Sequence, residues 1–244
     1  PRVRRQRQMC IRDRLNHVVL LDDVDDSYSG VWMFDEILNL GGDRERQKLI
    51  EIEKKLEPDD AINIQFTSGT TGQPKGATLS HYNIVNNGSF VTGRIKLTEK
   101  DRLALPVPLY HCFGMVMGVL GAVSKGAAMI FPGESFDAKE TLDVLVKEKC
   151  TALYGVPTMF VAILEELNKS SSDLSNMRTG IMAGALCPIE VMKKVNDLMN
   201  MKEVTICYGM TETSPVSFQS FVDDPTEKRC KTVGRVHPHI EVKI

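Results

Sequence analysis

The chain has 244 residues, 42% of them hydrophobic, with 30 basic and 32 acidic side chains and a formal net charge of −2. That is enough apolar material for one large domain or two small ones. A charge so close to zero gives no general attraction to nucleic acid or to an acidic membrane surface. The longest apolar run, residues 115–123, falls far short of a bilayer span and reads as a buried helix.

Residues 1–14 hold six arginines and one aspartate without an amphipathic stripe. They are expected to be a foreign or disordered segment outside the fold, although an Arg-rich, acid-poor start can also be a transit peptide. Residues 18–21 read as a short strand ended by the acidic cluster 22–26. Residues 34–56 are charged and helix-compatible, in two pieces broken at Gly41 and Gly42. A strand over 61–66 runs into the loop 67–76, and 77–80 form a second short strand, so the loop joins two strands. Ser80 can then cap a helix starting near His81.

Further along, 103–109 read as a strand that Pro106 and Pro108 assign to a sheet edge or end. Strands follow at 127–131, 151–154, 180–183 and 204–207. Between them, Asp137 with Glu140 resembles a capping box, and Leu142, Leu145 and Val146 give one apolar helical face. A helix is expected over 159–167. Pro188 suits the first turn of another, whose buried stripe is Val191, Met192, Val195, Leu198 and Met199. Short strands alternating with helices predict an α/β fold with a largely parallel sheet and flanking helices. The six cysteines are scattered, with no C-x-x-C pair, which favours a reducing compartment. The sequons at Asn87 and Asn168 are then chance matches.

The loop carries the chemistry. Thr67, Ser68, Gly69, Thr70, Thr71, Gly72, Gln73, Pro74, Lys75 and Gly76 combine four hydroxyls, three glycines and a lysine. Glycines let backbone N–H groups converge on a ligand. The hydroxyls add donors, and Lys75 adds a mobile charge suited to phosphate oxygens. The spacing is not that of the kinase and GTPase P-loop.

This loop resembles the phosphate-binding signature of the adenylate-forming, AMP-binding superfamily. A second segment, Tyr208-Gly-Met-Thr-Glu212, is similar to that family's Tyr-Gly-x-Thr-Glu motif. Weaker matches fall in the family's order at 108–114, 183–185 and 233–235. Within the superfamily, 78–87 and 154–160 look most like the mitochondrial medium-chain acyl-CoA synthetases. The resemblance makes residues 15–244 a partial AMP-binding domain, the central part of the family's large N-terminal domain. The lysine-bearing C-terminal domain is expected to lie outside this chain, which alone is expected to have little or no ligase activity.

What the resemblance implies is an ATP-dependent fatty acid–CoA ligase. The substrates would be a fatty acid, ATP and coenzyme A, with Mg²⁺ as cofactor. The residues from Thr67 to Lys75 would hold the β- and γ-phosphates, Tyr208 and Gly209 the adenine side, and Gly184 and Ala185 the adenine edge. Thr211 would bond the α-phosphate, and Glu212 would hold the metal. His111 either borders the acyl pocket or is packed in the core. His237 and His239 are expected in a solvated loop rather than on a metal. Arg235 is either family-typical or a surface ion-pair residue. An aryl- or amino-acid-adenylating enzyme, or a non-catalytic nucleotide-binding fragment, remains an alternative. The resemblance places the protein in mitochondria, with the cytoplasm as the alternative.

Overall fold

The computed structural model describes residues 17–21, 31–67 and 72–243. The chain divides into two compact units, 1–57 and 58–244. Residues 1–14, the acidic cluster 22–26 and the loop residues Ser68 to Thr71 lie outside the described residues.

In the first unit, β1 (Val19–Leu20) pairs parallel with β2 (Trp32–Met33). Helices α1 (Phe34–Leu38) and α2 (Asp43–Glu53) follow, separated at Gly41 and Gly42 as the sequence predicts. The Glu45 carboxylate accepts the Gly42 N–H at 3.0 Å, which closes the start of α2.

The second unit opens with β3 (Ala61–Thr67) and β4 (Lys75–Ser80), an antiparallel hairpin paired from Ala61↔Ser80 to Thr67↔Lys75 with a register shift between Ala61 and Asn63. The hairpin is a separate two-stranded sheet. Thr67 and Lys75 therefore sit on strands outside the parallel sheet. Ser80 caps α3 (His81–Arg94) by accepting the Asn83 N–H at 3.3 Å.

A seven-stranded sheet follows. Its strands are β5 (Arg102–Ala104), β6 (Ala128–Ile130), β7 (Ala152–Gly155), β8 (Thr179–Ala183), β9 (Glu203–Gly209), β10 (Val216–Gln219) and β11 (Arg235–Val236). The spatial order is β11-β10-β9-β8-β7-β5-β6. The five strands from β6 to β9 pair in parallel, and β10 and β11 extend the sheet antiparallel. The strand predicted over 103–109 stops at Ala104, because Pro106 and Pro108 cannot donate to a ladder. Leu105 still donates to the Ile130 carbonyl at 2.9 Å.

The apolar run predicted as a helix forms π-helical turns over Phe113–Leu120, continued by α4 (Gly121–Lys125). Next come α5 (Ala138–Lys147), α6 (Pro157–Leu167), α7 (Ile189–Leu198) and the short α8 (Thr226–Lys231). Asp137 accepts the Glu140 N–H at 2.8 Å, as its spacing suggests. Pro188 is the residue before α7 rather than inside its first turn.

Strand alternation gives the sheet two apolar faces. Leu153, Met182 and Val204 pack under Leu145, Phe160, Ile163, Met192 and Val195 of α5, α6 and α7. On the other face Ala152, Tyr154, Ile181 and Ala183 meet Val91 of α3, Ile95, and Met117 of the π-helical turns. β7 and β8 are buried along their whole length, so their side chains serve packing and leave chemistry to the loops beyond their ends.

Candidate active site

A cavity of about 810 Å³ opens beyond the carboxyl ends of β8 and β9. It collects residues that lie far apart in sequence: Thr67 from the hairpin, His111, Gly184 and Ala185 after β8, and Tyr208, Gly209, Thr211 and Glu212 at the end of β9. Gly72, Gln73, Pro74 and Lys75 do not line it. Lys75 begins β4 directly opposite Thr67, so it belongs to the base of the same loop. β4 in turn lies against the 3-10 turn Thr211–Thr213.

Two glycines are required by the backbone. Gly184 has φ +86°, where an L side chain is strained, and a Cβ there would sit 3.1 Å from Val156. At Gly209 a Cβ would collide with the Pro215 carbonyl. Both leave bare backbone beside Tyr208, whose half-exposed ring meets the edge of Phe218 (centroids 6.1 Å apart, planes at 60°). A flat ligand can therefore approach one aromatic face and a stretch of backbone without displacing a side chain.

After Tyr208 the chain makes a closed turn. The Met210 N–H donates to the Pro215 carbonyl at 2.9 Å. Thr213 Oγ1 lies 2.8 Å from the same carbonyl and 2.9 Å from Ser217 Oγ. These bonds present Thr211 and Glu212 at the tip. Glu212 is exposed, and among the described residues its carboxylate has no hydrogen bond or ion pair, so its oxygens are available to a cation. The donor set suits a hard divalent ion sharing its coordination with phosphate oxygens.

His111 is exposed at the cavity rather than packed in the core. Its Nδ1 accepts the Phe113 N–H at 3.0 Å, which leaves Nε2 as the free end of the ring. Cys112 Sγ lies 3.7 Å from Thr211 Oγ1 and supports that hydroxyl from below. Burial pushes the Cys112 thiol above its ordinary range.

Two expectations are corrected. His237 is buried rather than solvated: its Nε2–H donates to Gln219 Oε1 at 2.9 Å, and its Nδ1 has no partner. Burial and the neighbouring Arg94 charge lower its pKa to about 4. His239 is exposed, and no group of three His, Cys, Asp or Glu side chains among the described residues could hold a metal. Arg235 makes no ion pair among the described residues; its guanidinium lies 5.0 Å from the Phe221 ring, which Arg94 approaches at 4.2 Å.

The sequence reading missed Asn87. This buried α3 residue donates Nδ2–H to the Val216 carbonyl at 2.8 Å and accepts the Val216 N–H on Oδ1 at 3.1 Å. Ile84, Asn87, Gly88, Val91 and Thr92 form the buried helical stripe of α3, and an amide on such a stripe signals a buried partner.

An open, mostly parallel sheet covered by helices on both faces, with its cavity at the strand carboxyl ends, places this chain among the α/β folds whose ligand clefts lie at that edge. The model of the AMP-binding enzyme family matches residues 12–244, and the chain belongs to that family. It is 46% identical over 230 residues to the mitochondrial medium-chain acyl-CoA ligase ACSF2 of Danio rerio, covering 93% of this chain and 38% of that protein. It is also 46% identical over 217 residues to the acyl-CoA ligase sidI of Aspergillus fumigatus, covering 89% and 37%. The crystal structure of ATP-bound MatB from Rhodopseudomonas palustris superposes with a TM-score of 0.65 at 29% identity, over 75% of this chain and 35% of that one. The chain thus spans less than two-fifths of the length of these relatives.

Proposed function

We propose that this chain forms the nucleotide- and carboxylate-binding part of an acid–thiol ligase that makes acyl-CoA from a fatty acid, ATP and coenzyme A. The observation that carries this reading is the convergence of Thr67, Gly184–Ala185 and Tyr208–Glu212 on one cavity. Its support from relatives is the pair of acyl-CoA ligases at 46% identity.

In this reading Tyr208 stacks on the adenine, and Gly184, Ala185 and Gly209 leave room along its edge. Thr211 bonds the α-phosphate. The loop from Thr67 through Ser68, Gly69, Thr70, Thr71, Gly72, Gln73 and Pro74 to Lys75 holds the β- and γ-phosphates. Glu212 holds Mg²⁺, which when bound neutralises phosphate charge. A carboxylate oxygen attacks the α-phosphorus, and the bond to pyrophosphate breaks. The thiolate of coenzyme A then attacks the acyl carbon, and AMP leaves with the bonding pair. The protein contributes positioning and charge stabilisation. His111 borders the acyl end, and the Phe113 N–H fixes the orientation of its ring.

The medium-chain preference and the mitochondrial location are proposed from the likeness to ACSF2, with a cytoplasmic location as the alternative. Titration calorimetry of the chain with Mg·ATP tests the binding step, and the expected result is saturable binding that weakens without Mg²⁺. Pyrophosphate exchange by a polypeptide of the relatives' length, with graded straight-chain, aromatic and amino acids, tests the substrate. Preference for aromatic or amino acids would remove the medium-chain assignment. Exchange with no carboxylate at all would remove the ligase.

A further inference from the structure

We propose that Asn87 is a positioning residue that sets where Thr211 and Glu212 stand relative to the phosphate loop; the inference rests on the nucleotide reading above. The closed turn after β9 has two bases. One is Gly209, held in the sheet by β9. The other is Val216, the first residue of β10 and the register partner of Gly209. Asn87 satisfies both backbone groups of Val216 at once, as a neighbouring strand would. Among the described residues, these are the only hydrogen bonds between α3 and residues 210–217.

Packing between α3 and the outer part of the turn does not duplicate the tie. A crevice of about 320 Å³ lies between Asn83, Asn86 and Asn87 of α3 and Glu212, Thr213 and Ser214 of the turn. The outer part of the turn is therefore not wedged against the helix along that crevice. α3 itself continues directly from β4 through the Ser80 cap, and β4 begins at the loop. α3 thus meets the base of the acidic turn through the Asn87 amide, beside the direct contact of β4 with Thr211–Thr213 and the bonds that join Arg94 and Val91 to Gln219 further along β10. Val216 also lines the main cavity, so the same amide fixes part of its wall.

Loss of the amide leaves a buried N–H and a buried carbonyl without partners, and the base of the turn must shift to satisfy them. Gly184–Ala185 follow β8, and Tyr208 lies on β9 before the turn, where its register partner is Phe218 rather than Val216. Phosphate and metal contacts should suffer, and adenine contacts should not.

The test compares two probes on the 244-residue chain, Mg·ATP and adenosine, for the native protein and for Asn87→Leu and Asn87→Asp. Leu keeps the branched shape, is somewhat bulkier, and removes both bonds. Asp keeps an acceptor for the Val216 N–H but puts an oxygen against the Val216 carbonyl. Both variants should bind Mg·ATP about tenfold more weakly or worse and adenosine within about twofold of the native chain. Hydrogen exchange over 210–217 should accelerate in both. An equal loss for the two probes, or no loss for either, would overturn the positioning role. Native chain that binds adenosine but gains nothing from the phosphates and Mg²⁺ would overturn the nucleotide reading instead. If Asn87→Leu fails to fold, Asn87→Asp, which retains one bond, still separates these outcomes.

Discussion

At the amino ends of β5, β8 and β9, the Asp101 carboxylate accepts the Thr98 N–H, the Thr151 hydroxyl and a bidentate pair of bonds from Arg178. Arg178 reaches on to Glu203 at 2.7 Å. At the carboxyl ends of β8 and β9, bare glycine backbone, an edge-held tyrosine and an unpaired glutamate face the cavity. The first end is saturated with internal partners and ties four segments together. The second keeps the Glu212 carboxylate without a hydrogen bond or ion pair among the described residues. The difference teaches where each side chain's energy is directed: toward the chain's own stability below, and toward a ligand above.

Breaking the saturated end should give the largest effect. Asp101→Ala removes two of the bonds of Arg178 and the acceptor of the Thr98 N–H and of the Thr98 and Thr151 hydroxyls, and the expected loss is about 3 kcal/mol in urea unfolding. Adenosine affinity of the folded protein should stay unchanged. Burial raises the Asp101 pKa, but the bonds from Arg178, Thr151 and Thr98 outweigh it and hold the carboxyl below its usual range. Its contribution is therefore full above about pH 4 and disappears as the pH falls through its lowered folded value.

A second effect comes from His237, beneath the antiparallel edge of the sheet. Its folded pKa of about 4 lies below the unfolded value of 6.5, so the unfolded chain takes up the proton first. Stability should be intact above pH 6.5 and fall toward pH 4, by about 2–3 kcal/mol. His237→Gln should flatten that slope in unfolding curves taken across the window.

At the open end, effects should appear in binding before stability. Glu212→Gln should weaken Mg·ATP about tenfold in calorimetry while unfolding stays within about 0.5 kcal/mol of the native chain. A comparable loss of stability would show that Glu212 belongs to the framework after all. The smallest effect expected is from Gly184→Ala. A methyl group at φ +86° costs about 1 kcal/mol in unfolding and narrows the approach beside Tyr208, lowering adenosine affinity a few-fold.

Much of this division was legible in the sequence. β7 and β8 announce themselves as short apolar runs between helical patterns, because both of their faces are buried. The motifs at 184–185 and 208–212 follow such runs, so strand polarity alone sends them to one side. The hairpin was less legible. Its strands look like any others in one dimension, and nothing in 61–80 says that they pair only with each other. His237 was misread because an isolated histidine between a valine and a proline carries no sign of Gln219, eighteen residues earlier, waiting for its N–H. Asn87 was hidden because, beyond a sequon read as a chance match, nothing near it in the chain points to Val216, 129 residues on.

The cavity's sulfur content has a consequence for its electrostatics. Cys112, Cys187, Cys207 and Cys230 all contribute to its wall, and burial pushes each thiol upward, that of Cys187 to about 12. At neutral pH these are un-ionised, polarisable surfaces. Glu212 and Lys231 then stand as the sole permanent charges among the described residues of the lining. Lys231 is itself paired with Glu227 at 2.6 Å, so Glu212 is the lining charge without an ion pair among the described residues, with soft neutral walls behind it.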